Sequence, residues 1–294
     1  MVIVKLSGGL GNQLFQYAFG RSLAIKNETE LKLDVRGYDF FSADTTPRRF
    51  ALAPFNIGAG IASRAEIGRV IGIPQNDLGR MFSRFLMRHG WYHNPRHLRA
   101  LDLNLHENFL DLPGNIYLEG QFQSEKYFIK NSEVIRNAFS LKPEFAEILQ
   151  SPIADEIKNS NSVFIHFRDY ANDVSALGSH GNSREEYFSA AIKIIKEKIA
   201  NPTFFVFSEN LDWCRKNFPS DANLVFVEAH RDYEDLILMS QCRHAIISNS
   251  SFSWWAAWLI ANPDKIVIAP QRWFSEEKFE AQTENLVPKG WIRI

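Results

Sequence analysis

Short apolar blocks separated by stretches with helical spacing run through this chain, and they predict an alternation of strands and helices. Val2 to Leu6 reads as a buried strand, Ser7 to Gly11 as a glycine-rich turn, and Asn12 to Lys26 as a helix with Leu14, Phe15, Ala18, Phe19, Ser22 and Leu23 on one face. Leu31 to Asp34 and Ile116 to Glu119 read as further strands. The stretch from 41 to 110 is less regular and carries a basic, helix-like run from Arg80 to Arg88. After Pro152 the pattern becomes orderly. Strands near 162–166, 203–207, 223–228, 244–248 and 265–269 alternate with helical stretches near 184–200, 210–218, 232–242 and 251–262. Such alternation implies right-handed crossovers and a parallel sheet covered on both faces, so the second half is expected to be Rossmann-like. Ligands bind at the carboxyl ends of such strands.

Composition narrows the function classes. At 294 residues the chain suggests two domains, 1–150 and 151–294, and 45% hydrophobic against 23% charged residues suits a globular protein with a full core. With 33 basic and 34 acidic residues the net charge is −1, so nothing pulls the whole chain toward nucleic acid or an anionic membrane. Any anion site must be local. Cys214 and Cys242 are too few for a disulfide framework and lack zinc-site spacing, which fits a reducing compartment. The first apolar run is too short for a signal peptide, and no run reaches roughly 18 residues, so a cytoplasmic location is expected. The sequons at Asn27 and Asn249 are read as chance.

Chemistry concentrates where the predicted strands end. The strand from His244 to Ile247 runs into Ser248-Asn249-Ser250-Ser251, and a helix follows with Phe252-Ser253-Trp254-Trp255. Backbone N–H groups and the helix dipole suit that point to a phosphate, and the alternative is plain N-capping. An earlier strand ends in His166-Phe167-Arg168-Asp169-Tyr170, where Arg168 suits a pyrophosphate or a surface pair with Asp169. Another ends in Ser208-Glu209-Asn210, an acid placed for a nucleotide base or ribose, unless Ser208 only caps the next helix. Near the N-terminus, Gly8-Gly9-Leu10-Gly11-Asn12-Gln13 either lets a ligand approach the backbone or makes a tight turn. His89, His93 and His97 stand four apart, but Asn94-Pro95 interrupts any helix that would unite them as metal ligands. No Asp-x-Asp pair is present to hold a divalent ion on a diphosphate, which leaves Arg and helix dipole to neutralise it.

Taken together, these segments resemble glycosyltransferase family 11, the α-1,2-fucosyltransferases, along nearly the whole chain. The matching segments are GGLGNQLFQY from Gly8, YLEGQFQSEKYF from Tyr117, FSENLDWC from Phe207, DLILMSQCRHAIISNSSFSWWAAWL from Asp235 and IAPQRWF from Ile268. The family's His-x-Arg-Arg-Gly-Asp-Tyr is two residues shorter here, Arg168 aligning with one or other of the two arginines. The pattern resumes at His180-Gly181 and Tyr187. Glu209 and Ala256 replace the usual Asp and Gly.

The resemblance implies an α/β enzyme of the GT-B type, two Rossmann-like domains with parallel sheets facing an interdomain cleft, acceptor-side at 1–150 and GDP-fucose-binding at 151–294. It implies inverting transfer of L-fucose from GDP-β-L-fucose to O2 of a terminal β-galactoside, on an oligosaccharide or glycolipid, without an essential metal or other cofactor. The implied donor set is Gly9, Gly11, Asn12 and Gln13 from the first domain with His166, Arg168, Asp169, Ser208, Glu209, Asn249, Ser250, Ser251 and Phe252 from the second. Arg168 would stabilise the departing pyrophosphate. Asp34 and Glu119 follow first-half strands and are candidate bases for the acceptor proton, with a structural acid at a strand end as the alternative for each. A different nucleotide sugar, or a non-catalytic GDP-sugar-binding protein, are the competing readings. The acceptor pocket would come largely from 41–110, where Trp91 and Tyr92 suit sugar stacking or core packing. Arg80, Arg84, Arg88 and Arg96 suit either a peripheral contact at the inner membrane face or a solvated helix face.

Overall fold

The fold is that of a computed structural model, which describes residues 1–39, 48–170, 185–228 and 230–294. The described residues form two compact units, the first reaching Ser140 and the second running from Leu141 to Ile294.

The first unit is built on five parallel strands: β1 (Val2–Lys5), β2 (Leu31–Asp34), β3 (Gly60–Ile61), β4 (His97–Arg99) and β5 (Ile116–Glu119), in the order β3-β2-β1-β5-β4. Its helices are α1 (Leu10–Lys26), α2 (Arg64–Ile71), α3 (Asp77–Arg88) and α4 (Ser132–Ala138). α1 starts two residues before the sequence pattern predicts and is buried on nearly every side, 13 of its 17 residues lying in the core. Gly20 lets it approach the sheet, since a Cβ there would stand 2.3 Å from Val4 Cγ2. On the opposite face Ile67, Val70 and Ile71 of α2 pack on Ile3 and Tyr117.

The second unit contains α5 (Pro152–Lys158), β6 (Asn161–Phe167), α6 (Glu185–Lys198), β7 (Pro202–Ser208), α7 (Leu211–Asn217), β8 (Leu224–Phe226), α8 (Asp232–Gln241), β9 (His244–Ile247), α9 (Ser251–Leu259), β10 (Val267–Ala269), α10 (Glu277–Glu280) and β11 (Ile292–Arg293). All six strands are parallel, in the order β11-β10-β9-β6-β7-β8. The alternation of apolar blocks predicts five; β11 is a sixth, too short at two residues to make a pattern. Chain order runs outward from β6 in one direction through β7 and β8 and in the other through β9, β10 and β11. The gap between the ends of β6 and β9 is therefore the topological switch point, where a parallel sheet opens a crevice for ligands. In the first unit the corresponding gap lies between β1 and β5.

Candidate active site

At the second unit's switch point, β6 delivers His166 and Arg168 beside the start of α9. Register pairs His166 with Ile247, and the Ser248 amide donates to the His166 carbonyl at 3.2 Å. The His166 ring is buried, with Nδ1 2.6 Å from Ser253 Oγ, which in turn lies 3.2 Å from Ser248 Oγ. Burial, with the Arg168 charge adding to it, pushes the imidazole down to about 3. It is a neutral group at any physiological pH. Arg168 projects beyond the strand end, its Nη1 2.8 Å from Glu209 Oε1 at the end of β7 and its guanidinium 5.5 Å from the Tyr170 ring centroid. The two strand-end loops are tied further: the Asp169 amide donates to Glu209 Oε1 at 3.1 Å, and Asn210 Nδ2 donates to Asp169 Oδ2 at 2.8 Å.

The hydroxyl-rich segment divides between frame and site. Ser250 is the N-cap of α9, its Oγ accepting from the Phe252 amide at 3.3 Å. Asn249 Nδ2 donates to the Trp273 carbonyl at 2.9 Å, while the Asn249 carbonyl accepts from Tyr170 Oη at 2.8 Å. Trp254 and Trp255 are fully buried, and Trp254 Nε1 donates to the Leu286 carbonyl at 2.8 Å. The tryptophans thus seat α9 so that its N-terminus, with Ser251 and the Phe252 ring 5.3 Å from His166, stands beside Arg168's strand.

At the first unit's switch point, Gly8 has φ +73° and Gly9 is an N-cap with no side-chain hydrogen bond, so α1 begins with bare backbone. Asn12 Oδ1 accepts from Gln123 Nε2 at 3.0 Å. Gln13 is fully buried, its Nε2 donating to the Gly8 and Arg49 carbonyls at 3.1 and 2.8 Å and its Oε1 accepting from the Ala51 amide at 2.9 Å. Gln16 joins the two strand ends by bonding both Ser7 and the Gly120 carbonyl. Phe122 holds φ +52°, a conformation a bulky residue rarely adopts, and is pinned between Phe19 and Tyr127.

The two acids at these strand ends are locked. Asp34 is 2% exposed and takes a two-pronged guanidinium from Arg36, both bonds 2.8 Å, plus the Tyr117 hydroxyl at 2.7 Å. Burial raises its carboxyl, but the bonds from Arg36 and Tyr117 outweigh burial and leave it below the ordinary range. Glu119 faces Lys5 Nζ at 2.6 Å, His97 Nε2 at 3.3 Å and Arg99 Nε at 3.5 Å. The His97 bond first, and Lys5 and Arg99 after it, bring its carboxyl down to about 2 against the effect of burial. A general base working near neutrality needs the opposite shift.

These strand-end sites sit on a chain whose relatives are known. A family model described as Glycosyl transferase family 11 matches residues 1–294. The chain belongs to glycosyl transferase family 11. It is 33% identical to an alpha-1,2-colitosyltransferase of Escherichia coli, over 100% of this chain and 99% of that protein. It is 29% identical to galactoside alpha-(1,2)-fucosyltransferase 1 of Lagothrix lagotricha, over 57% of this chain and 50% of that protein. Among solved structures it is similar to a mutant of Arabidopsis thaliana FUT1 in complex with GDP, with TM-score 0.51 at 13% identity, covering 98% of this chain and 74% of that one. The likeness carries the fold, which is α/β of the GT-B type.

In this family 11 chain the structure brings His166, Arg168, Asp169, Ser208, Glu209 and the α9 start to one sheet edge, and gathers Gly9, Gly11, Asn12 and Gln13 at the other unit's β1–α1 turn. Ser208 Oγ accepts from the Asn210 amide at 2.9 Å. His180 and Gly181, where the family pattern resumes, lie outside the described residues; Tyr187 donates to the Ile247 and Ile268 carbonyls. Three residues escape a reading from the sequence. Ser253 was hidden among the helix-packing aromatics, Gln123 had no partner until Asn12 was placed beside it, and Arg48 lies in the irregular stretch. Its Nη1 is 3.6 Å from where a Cβ on Gly9 would stand. The three histidines do not share a helix: α3 ends at Arg88, and His97 lies in β4 with its Nδ1 2.6 Å from the Tyr92 hydroxyl.

Proposed function

We propose that the protein transfers L-fucose from GDP-β-L-fucose to O2 of a terminal β-galactoside, with inversion at the anomeric carbon. The observation that carries this is Arg168 beside the α9 N-terminus at a switch point of the GT-B fold, in a chain whose relatives are named for α-1,2 transfer. In the proposed reaction the acceptor oxygen attacks the face opposite the departing GDP. Charge grows on the β-phosphate as the sugar–phosphate bond breaks, and Arg168 and the α9 dipole meet it in place of a divalent ion. His166, neutral and braced by Ser253, orients that edge without adding charge. Gln13 acts through backbone, fixing the glycine turn at the start of α1. Asp34 and Glu119 are read as structural acids, not as the acceptor's base.

A second donor is favoured by a specific observation: the 33% identical, full-length relative is named for colitose, the 3-deoxy counterpart of fucose. A site that hydrogen-bonds a sugar hydroxyl discriminates strongly against the analogue lacking it. Incubation with GDP-fucose or GDP-colitose and a panel of β-galactosides, with product linkage read by NMR, tests both readings. An α-1,2-fucosyl product supports the first. A product from GDP-colitose alone moves the assignment to colitose, and turnover only with other nucleotide sugars rejects both.

A further inference from the structure

Nine large hydrophobic side chains stand exposed among the described residues, and six of them fall between positions 78 and 101: Leu78, Met81, Phe82, Phe85, Trp91 and Leu101. Four lie on α3. At about 100° per residue Leu78, Met81, Phe82 and Phe85 share one helix face. The opposite face carries Ser83, buried and donating to the Gly79 carbonyl at 3.0 Å, and the half-buried Met87, with Leu86 half-buried on the flank. α3 thus leaves four of its large apolar residues facing water, which an ordinary surface helix does not. The face continues past the helix end, where Phe85, His89 and Trp91 form a ring cluster with centroids 4.5 to 6.1 Å apart.

The charge around this face is one-sided. Between Asp77 and Asp102 the chain has five arginines (80, 84, 88, 96 and 99), three histidines and no acid, although the whole chain has net charge −1. Arg84 and Arg88 are exposed and, by helical spacing, flank the apolar face on one side.

We propose that α3 and its continuation to Trp91 dock on the surface of an anionic phospholipid bilayer. Phe82, Phe85 and Trp91 enter the boundary between headgroups and acyl chains while Arg84 and Arg88 meet lipid phosphates. Twelve residues span roughly 18 Å, short of a bilayer core, so the helix lies on the membrane and does not cross it. Charge selects this occupant over a second copy of the chain, which would offer the same arginine-rich, acid-free segment. The inference is independent of which sugar is transferred.

Flotation of the full chain with vesicles tests it. The wild type should float with phosphatidylethanolamine–phosphatidylglycerol vesicles and stay behind with phosphatidylcholine vesicles. The Phe82→Ser/Phe85→Ser and Arg84→Glu/Arg88→Glu pairs should each lower the bound fraction roughly tenfold or more, with thermal unfolding and transfer to a water-soluble acceptor unchanged. Failure of the wild type to float, or equal flotation by both double variants, overturns the proposal. So does a wild-type dimer that ignores vesicles and becomes monomeric in Phe82→Ser/Phe85→Ser, which would assign the face to self-association.

Discussion

In the first unit, β2 and β5 end in carboxylates, Asp34 and Glu119, each enclosed by basic partners that hold it charged. In the second unit, β6 and β9 end in a neutral imidazole, a projecting guanidinium and a hydroxyl-rich helix start. Both sheets are parallel and both have a switch point, so topology alone does not say which strand ends bind a diphosphate. Under the proposed function the electrostatics distinguish them. The acids of the first sheet are enclosed by partners that hold them charged, whereas at the second sheet Arg168, paired with Glu209, stands beyond the strand end together with the start of a helix.

Breaking that outward charge should have the largest effect. Arg168→Ala is expected to lower kcat roughly 100- to 1,000-fold, on the order of losing one preorganised transition-state donor. Arg168→Lys should recover only part of this because an ammonium lacks the planar fork. Loss of KM alone, with kcat intact, would place Arg168 in ground-state binding. Next comes the brace behind it. Ser253→Ala leaves His166 Nδ1 without its 2.6 Å partner in the core and should cost about 1 to 3 kcal/mol of stability, read as a lowered denaturation midpoint. An unchanged midpoint would mean the hydroxyl carries nothing.

The imidazole itself gives a pH signature. Its folded value of about 3 lies below the ordinary 6.5, so the unfolded chain binds one more proton between those values. Stability contributed by the neutral ring is complete above pH 6.5 and falls as pH drops toward 3, by up to about 1.4 kcal/mol per pH unit. Urea midpoints from pH 7 to 5 should show this slope, and His166→Asn should reduce it by one proton. Glu119, held at about 2 against an ordinary 4.5, loses its contribution only below pH 4.5, outside that window. The smallest effect on turnover is expected from Asp34→Asn and Glu119→Gln, which should lower stability while leaving kcat within about threefold of wild type. A loss above 100-fold with normal GDP affinity would restore either acid as the base.

What could be read in the sequence follows the length and regularity of each element. The strands at 161–167 and 202–208 are seven residues long with apolar centres, and the helix between them keeps 3.6 spacing, so the parallel sheet and its strand-end residues were legible. β3 and β11 have two residues each, and α2 and β4 lie in the irregular stretch. They are fixed by what they pack on, not by their own pattern. The same holds for the site. Arg168 stands out because an arginine directly after an apolar strand is conspicuous, but nothing in the sequence pairs it with Glu209, far along the chain, or Gln123 with Asn12 across 111 residues. Gln13 reads as a ligand by position, yet its whole amide serves the Gly8, Arg49 and Ala51 backbone.

Hydrogen–deuterium exchange with and without GDP measures most directly whether the second sheet's strand ends hold the diphosphate. GDP should slow exchange most in peptides covering 163–170 and 247–258, with a lesser effect around 8–16 and none at 34–38. Protection confined to the first unit, with 163–170 and 247–258 unchanged, would contradict the account.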